Sequence, residues 1–259
     1  MKYVKYQRNH VVVKGREEAL DEFVNCTTVI NSKRVRHKLK NSYSSNSEDA
    51  LTWSCFDTLR SYKPENLVDA LNEILEDSYD GSSPFDFKFE NNIKVEIGKE
   101  YIAPTLKTEK KKNEKTEVDA SIETDDRLIF FEAKLYSLIS YPSDIQKHNQ
   151  IGNKLRIGLD YSRMNNKQFY FIFLDIAPLE MYSRRKPKAE ADQASHNFES
   201  KWKSAWWFNY YRRGKSLKSL KEVFKDIMVS DEELIHLKQR MGWLTWASLF
   251  KIVLRAAIK

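Results

Sequence analysis

The spacing of hydrophobic residues is helical in the first third of the chain. Apolar positions recur every three or four residues over 15–30, 48–62 and 64–79, which predicts a helix in each stretch. Pro64 suits the first turn of the third helix. The apolar stripe of that helix consists of Leu67, Leu71, Ile74 and Leu75. We therefore expect residues 1–80 to form an N-terminal helical region.

Strand periodicity replaces helical periodicity after the turn residues 81–84. Phe85, Phe87 and Phe89 alternate with polar residues. The same alternation recurs at Ile93, Val95 and Ile97. A charged run over 107–115 predicts a loop, and strands are predicted over 117–124 and 128–135. The second of these strands is almost wholly apolar before Glu132, which is typical of a strand buried on both faces.

Helices and one more strand complete the pattern. A helix is predicted from about 144 to 161, with Ser143 and Gln146 as a capping box. An apolar strand follows over 168–176, and residues 189–259 read as helices broken near Gly214 and Gly242. This order predicts an α/β fold with a mixed central sheet flanked by helices. Residues 81–180 would form the core sheet and crossover helix, and 181–259 a helical C-terminal region packed on the same domain.

Charge favours a polyanionic partner. The 259 residues carry a net charge of +7, and such a surplus suits nucleic acid. Basic clusters at 33–40, 110–112 and 184–188 can contact phosphates. Segment 201–213 mixes lysine and arginine with aromatic residues, which suits stacking on bases. Aromatics at helical spacing more often pack in a core, and both readings stay open for this segment.

Cysteine usage and hydropathy indicate a cytoplasmic protein. Cys26 and Cys55 show no metal-ligand spacing, so they are expected to be reduced core residues. No apolar run reaches the length of a membrane span, and the N-terminus lacks a signal-peptide pattern. We therefore expect no membrane partner.

Chemistry is concentrated on the two strands around Asp125 and Asp126. If these two residues form a hairpin turn, the register places Asp119 opposite Glu132 and Glu117 opposite Lys134. Opposed like charges destabilise a sheet, and a divalent cation removes the conflict. Carboxylate oxygens suit magnesium, which retains waters for a phosphate. A lysine beside the metal can orient a water, so the pattern predicts phosphodiester hydrolysis.

These residues resemble a known family. Asp119, twelve intervening residues and then Glu132-Ala133-Lys134 are similar to the PD-(D/E)XK nuclease superfamily, which has the restriction-endonuclease-like fold. The resemblance implies that Asp119, Glu132 and the carbonyl of Ala133 bind Mg²⁺, with Mn²⁺ able to substitute. It also implies that Lys134 positions or activates the attacking water. Val118 stands where the family name has proline.

The same resemblance, which covers about residues 48–176, suggests two further catalytic residues. The family often adds a metal-binding carboxylate from a preceding helix, and Glu48 is the best match. Its spacing from Leu51 and Cys55 puts this acid on the apolar stripe of the predicted helix, where an unpaired acid is unexpected. The alternative is a capping box of Ser45 and Glu48, in which the acid only caps the helix. Many members also carry a polar residue, often glutamine, in the helix after the lysine strand. Gln150, or else Gln146, matches it; ordinary helix polarity is the alternative.

The predicted function is therefore a metal-dependent endonuclease that hydrolyses DNA and leaves 5′-phosphates. Restriction or anti-phage defence is an expectation by analogy only. The alternatives are an RNA- or structure-specific nuclease, a non-catalytic nucleic-acid-binding module, or a subunit that acts with a partner. A homodimer is also expected among nucleases that cut both strands.

Overall fold

The computed structural model describes residues 27–30, 33–36, 48–88, 92–109, 112–135, 137–142, 147–176 and 200–258. The strands are β1 (Thr27–Ile30), β2 (Lys33–Arg36), β3 (Lys94–Lys107), β4 (Asn113–Glu123), β5 (Arg127–Ala133), β6 (Gln168–Asp175) and β7 (Met241–Thr245). The helices are α1 (Glu48–Arg60), α2 (Pro64–Ser78), α3 (Gln150–Met164), α4 (Ser200–Arg212), α5 (Lys218–Val223), α6 (Asp231–Gln239) and α7 (Trp246–Ile258).

A five-stranded mixed sheet of order β3-β4-β5-β6-β7 forms the centre of the molecule. Strands β3, β4 and β5 are antiparallel neighbours, whereas β5, β6 and β7 are parallel. Helix α3 makes the crossover between the parallel strands β5 and β6. The predicted α/β class, with a mixed sheet flanked by helices, is confirmed.

Alternation along β5 divides the core into two layers. Ile129 and Phe131 pack in one cluster with side chains of α1, α2 and α7. Leu128 and Phe130 pack in a second cluster with side chains of α3, α4, α5 and α6. Successive side chains of a strand point to opposite faces, so a strand covered on both sides must be apolar throughout. This is why Glu132, with no exposed surface in this strand, is conspicuous.

The helix predicted over 15–30 is wrong at its end, and the remainder of that stretch lies outside the described residues. Thr27–Ile30 is a strand paired antiparallel with Lys33–Arg36. Four successive β-branched residues, Thr-Thr-Val-Ile, lose side-chain freedom in a helix and favour a strand. The N-terminal region is therefore not purely helical, and part of the basic cluster at 33–40 belongs to a hairpin.

Two predictions near β3 also need correction. Residues 85–88 form no strand, because the side chain of Asn72 in α2 takes both backbone groups of Phe87. Its amide donates to the Phe87 carbonyl at 3.1 Å, and its oxygen accepts the Phe87 N–H at 2.6 Å. Phe89 is outside the described residues. The charged run over 107–115 is no long loop, since β3 extends to Lys107 and β4 begins at Asn113.

The C-terminal region is not purely helical either. The predicted helix break at Gly242 lies inside β7, which pairs with β6 as the edge strand of the sheet. A Cβ atom on Gly242 would lie 3.0 Å from the ring of Tyr79, so the strand approaches α2 closely only because this residue is glycine. Four buried residues, Met241–Leu244, are too short a run to separate from a buried helix by periodicity.

Helix α3 begins later than predicted. Its first residue is Gln150, and the side chain of the N-cap Asn149 accepts the Gly152 N–H at 2.9 Å. The Ser143–Gln146 capping box lies outside the described residues. Cys55 is buried with a free thiol, as expected; Cys26 lies outside the described residues. Within the described parts of the chain, no helix has the length and apolarity needed to cross a membrane.

Candidate active site

The β4–β5 hairpin has the register that the sequence predicts. Asp125 and Asp126 form the turn, and the Thr124 N–H donates to the Arg127 carbonyl at 2.9 Å. The paired residues run from Glu123 opposite Leu128 to Ala120 opposite Phe131. The turn therefore brings Asp119 to the level of Glu132, at the end of the hairpin that faces α1.

Gly98 of β3 lies opposite Asp119 of β4. The pairs Ile97–Ala120 and Lys99–Val118 flank this position in one register. Gly98 has φ of 62°, a conformation that glycine adopts without strain. The Asp119 carboxylate accepts the backbone N–H of Ala133 at 2.8 Å, and this hydrogen bond holds it beside the residue that follows Glu132.

Glu132 lies between two buried ammonium groups. Lys134 Nζ is 2.6 Å from Glu132 Oε1, and Lys154 of α3 forms an ion pair with Glu132 Oε2. Lys154 Nζ is also 3.6 Å from Asp119 Oδ2. The side chains of Glu132 and Lys154 are 0% and 1% exposed, so the contacts form a low-dielectric charged cluster.

Glu48 completes the cluster from α1. Its Oε1 is 3.3 Å from Lys134 Nζ, and its Oε2 accepts the Leu135 N–H at 2.7 Å and the Ser137 hydroxyl at 2.6 Å. The helix therefore supplies a carboxylate to the strand end, as the resemblance implied. Ser45, its alternative capping partner, lies outside the described residues.

The five side chains form an alternating chain of charges. Carboxylates at its two ends and its centre are separated by the ammonium groups. In order, the chain is Glu48, Lys134, Glu132, Lys154 and Asp119. Counted as ionised, three carboxylates and two ammonium groups leave a net charge of −1. We refer to these five side chains as the charged cluster.

Electrostatics set the protonation states within the charged cluster. Burial raises the pKa of Asp119, but Lys154 and Lys134 outweigh it, and the net pKa lies below its ordinary value. Burial and the neighbouring Asp119 charge raise the pKa of Glu132. For both lysines the acids outweigh burial and raise the pKa. Glu132 is therefore more easily protonated than Asp119.

The backbone around Lys134 is held from two directions. The Lys134 N–H donates to the Leu174 carbonyl at 2.8 Å, and the indole of Trp246 in α7 donates to the Lys134 carbonyl at 3.2 Å. Lys134 Nζ also donates to the Ala133 carbonyl at 2.9 Å, which is the carbonyl predicted to bind metal. The charged cluster is thus built at the carboxyl end of β5, on fixed elements.

Lys154 is the residue that sequence reasoning missed. It lies one turn after Gln150 on α3, among the buried positions Ile151, Leu155 and Gly158. A lysine at the helical spacing of an apolar stripe was the available signal, because a lysine is rarely buried without a partner. The same argument had already selected Glu48.

Gln150 lies at the start of α3, beside the segment that follows Lys134. Its side-chain oxygen accepts the Ser140 N–H at 3.3 Å, and its backbone N–H donates to the Ser140 carbonyl at 3.1 Å. These contacts hold the segment against the helix. The catalytic role suggested for Gln150 stays a prediction, and Gln146 lies outside the described residues. Glu117 lies opposite Glu100 of β3, while Lys134 pairs with Glu48 and Glu132.

The donor atoms at this site favour a metal ion, whereas their arrangement is not that of a formed metal site. Carboxylates of Glu48, Asp119 and Glu132 and the Ala133 carbonyl are hard oxygen donors of the kind magnesium prefers, and the net charge of the charged cluster suits a cation. Among the described residues, however, no three His, Cys, Asp or Glu side chains form a group ready to hold an ion. The lysines separate the carboxylates. The oxygen donors suit magnesium chemically, and binding would require an ammonium group to move away from the carboxylates.

Of the basic and aromatic segments, 201–213 is the best described. Phe208 and Tyr211 are buried, whereas Tyr210 is 41% exposed, so both the core and the surface reading apply to parts of α4. Lys110, Lys111 and the cluster at 184–188 lie outside the described residues. Comparisons of the chain with protein-family models, curated proteins and solved structures found no match.

Proposed function

We propose that this protein is a magnesium-dependent deoxyribonuclease with a restriction-endonuclease-like core. The observation that carries the proposal is the meeting of Asp119, Glu132, Lys134 and Glu48 at one strand end, with Glu132 and Lys134 buried. Burying charge costs free energy that a purely structural site avoids with apolar residues. Strongly coupled, buried acids and lysines are a recurrent mark of catalytic sites.

The order of elements supports the same proposal. A helix that carries an acid precedes the sheet, a hairpin carries Asp119 and the Glu-Ala-Lys sequence, and a helix with an inward polar residue follows. These are the positions at which the family places its functional residues. Lys154 would be the functional polar residue of the helix that follows the lysine strand. It lies one turn beyond Gln150, which the sequence suggested for this position.

Asp119, Glu132, Glu48 and the Ala133 carbonyl would hold the magnesium. The ion would supply charge neutralisation at the phosphate and a more acidic bound water. Lys134 would orient the attacking water and stabilise negative charge on the phosphoryl oxygens. Lys154 would keep Asp119 ionised and hold Glu132 in place while the site is free of metal. Water would add at phosphorus as the bond to the 3′-oxygen breaks, which leaves a 5′-phosphate.

A second candidate is a non-catalytic nucleic-acid-binding module. The observation that favours it is Lys154, whose ammonium already lies between the two acids that a metal would need. In that case the charged cluster would be a fixed internal network, and magnesium would have no effect on either activity or stability. RNA in place of DNA is an outcome of the test below.

The test is cleavage of supercoiled plasmid, linear duplex, single-stranded DNA and RNA, with magnesium or with EDTA. We expect magnesium-dependent cutting of DNA that falls at least about 100-fold in Lys134→Met and Asp119→Asn, the usual effect of removing one catalytic group. The substrate panel decides between DNA and RNA.

Two matched variants control for lost buried charge. Asp160→Asn removes a buried acid of α3 that binds Thr105, and Lys167→Met removes a partly buried lysine that pairs with Glu123 at 2.9 Å. Both should retain activity per folded molecule, with folding followed by circular dichroism. Equal loss in the control and site variants would count against the site. No cleavage of any substrate, with no thermal shift on adding magnesium, would favour the binding module.

A further inference from the structure

A basic cleft opens at the C-terminal end of α4, in the helical layer that also contains α3. Its volume is about 590 Å³. The cations that line it are Arg212, Arg213, Lys215 and Lys238, with Leu217 and Ile235 beside them. No carboxylate is among the described residues that line the cleft. Four cations around one concavity repel each other, and an anion inside would relieve that repulsion.

Arg212 is partly buried, and its guanidinium is incompletely paired among the described residues. Its side chain is 15% exposed, and its ion pair among the described residues is with Asp80, at 3.7 Å and itself 65% exposed. Its Nη1 is buried without a hydrogen-bond partner in the described structure. Burial and the charge of Arg213 outweigh Asp80 and lower the pKa of Arg212. The guanidinium of Arg212 therefore adds poorly compensated positive charge to the wall of the cleft.

Arg156 of α3 provides the comparison within the same fold. It is 1% exposed, and its guanidinium donates to Glu114, Asp226 and the Val223 carbonyl. A buried arginine that only holds elements together is therefore fully paired here. Arg212 differs, because no described residue accepts a hydrogen bond from its Nη1.

Helix α4 connects the cleft with the surroundings of the charged cluster. Trp207 packs against Tyr141, with ring centroids 6.4 Å apart, and Tyr141 lies in the segment whose Ser137 binds Glu48. Further along the helix, the exposed Tyr210 stacks on Trp206 at 5.2 Å, three residues before Arg213. Cations beside an exposed aromatic platform are typical of surfaces that bind single-stranded nucleic acid.

We propose that the basic cleft binds a backbone phosphate of a single-stranded nucleic acid, whose adjacent base stacks on Tyr210. The strand would continue along α4 toward the charged cluster. The direction of the strand rests on the proposed nuclease function, whereas phosphate binding in the cleft does not. The exposed side chains of Arg213 and Lys215 would donate to the phosphate, and Arg212 would add positive charge from the wall of the cleft.

The test measures binding rather than cleavage. The affinity of a short fluorescent single-stranded DNA is followed by anisotropy in EDTA, for wild type and for the double variant Arg213→Glu/Lys215→Glu. Both residues are exposed, so folding should survive. The control is Lys63→Glu/Lys251→Glu, which makes the same charge change at exposed positions of the α2 and α7 layer.

We expect the cleft variant to weaken binding about tenfold or more, and the control less than about threefold, because only the cleft residues contact phosphate. The dependence of log K on log salt should flatten by about 0.7 in the cleft variant, since the one phosphate bound in the cleft contributes about 0.7. Tyr210→Ala should weaken binding of the single strand more than that of a duplex of the same sequence.

Equal losses in the cleft and control variants would overturn the proposal, because they would reflect net charge alone. Free phosphates are tested with ATP and inorganic phosphate as competitors. If these compounds bind through Arg213 and Lys215 while the oligonucleotide does not, the cleft is a nucleotide site and the proposal is wrong. Cleft-dependent DNA binding by a wild type that cuts nothing would reject the nuclease function and retain the cleft.

Discussion

Helix α3 carries two buried cations, Lys154 and Arg156, in very different surroundings. They are two residues apart, so they point to opposite sides of the helix. Lys154 lies in the charged cluster, against Asp119 and Glu132. Arg156 holds Glu114 of β4 and Asp226 beside α5. The same helix therefore contributes a cation to a candidate active site on one side and to a structural tie on the other.

The two sites differ in where their acids lie. The acids paired with Arg156 reach the solvent: Glu114 is 16% and Asp226 58% exposed, and the planar guanidinium satisfies both. Glu132 has no exposed surface, and its partners are two lysines rather than a fork-shaped arginine. Solvent and geometry stabilise the Arg156 site, whereas the charged cluster depends on its own members.

This difference distinguishes a structural ion pair from a functional site. A structural ion pair is best built from an arginine and hydrated acids, because little desolvation is required. Buried lysines and acids are costly unless a ligand or reaction uses their charge. The two sites can be compared by removing each cation and by titrating an acid of each site. The backbone opposite Asp119 can be strained as a further test of the charged cluster.

The largest effect is expected from removing the cations. Lys154→Met should lower the free energy of unfolding by about 3 kcal/mol in EDTA, because the buried Glu132 loses one of its two cationic partners. Arg156→Met should lower it by about 2 kcal/mol through lost charge-assisted hydrogen bonds, because the acids that it leaves reach the solvent. Saturating magnesium should restore much of the loss in Lys154→Met, since the ion takes the place of the ammonium. It should restore none in Arg156→Met. Urea unfolding with and without magnesium measures both.

Measurements of nuclease activity distinguish the same two variants. Arg156→Met should keep its activity per folded molecule, because Arg156 does not touch the charged cluster. If Lys154→Met gains no stability from magnesium, Lys154 is a structural ion-pair partner, and magnesium does not take the place of its ammonium group.

An intermediate effect is expected from pH, with opposite signs at the two sites. The pKa of Glu132 is raised from 4.5 by burial and by Asp119, so the folded state holds its proton longer than the unfolded state. Its contribution to stability is complete below about pH 4.5 and is lost as pH rises through the folded pKa. In EDTA, wild type should lose stability relative to Glu132→Gln above about pH 4.5, by at most about 1.4 kcal/mol per pH unit.

Asp226 should behave in the opposite way. The hydrogen bond from Arg156 lowers its pKa below 3.8, so its contribution is present above 3.8 and is lost as pH falls through the folded pKa. Wild type should therefore lose stability relative to Asp226→Asn only in strong acid. Thermal melts from pH 3 to 8 record both slopes. Parallel pH profiles for Glu132→Gln and wild type would contradict the raised pKa.

The smallest effect is expected from the backbone behind Asp119. Gly98→Ala should cost about 1 kcal/mol, because Gly98 has φ of 62° and an L-residue is strained there. Gly81→Ala is the matched control, with φ of 79° in an open turn. Both should lose similar stability, but only Gly98→Ala should reduce activity, by displacing Asp119. Equal activities would show that the backbone conformation of Gly98 does not position the acid.

Much of the site could be predicted from local signals. The turn at Asp125 and Asp126, together with strict alternation along the strands, placed Asp119 beside Glu132, because antiparallel register follows from the turn. Glu48 was found as an acid on an apolar helical stripe. The edge strand β7 could not be predicted, because a run of four buried residues has no periodicity that distinguishes strand from helix.

The pattern of neighbouring residues was sufficient to predict the α/β class, the hairpin and the candidate acids, since turn chemistry and side-chain alternation act over short stretches of the chain. Which cations neutralise those acids was decided by tertiary structure alone. Lys154 reaches Glu132 only because α3 crosses back over the sheet, and the cleft at Arg212 exists only where α4 meets α6. Ion pairs between distant segments leave no periodic signal, because their energy depends on burial and distance in the folded chain.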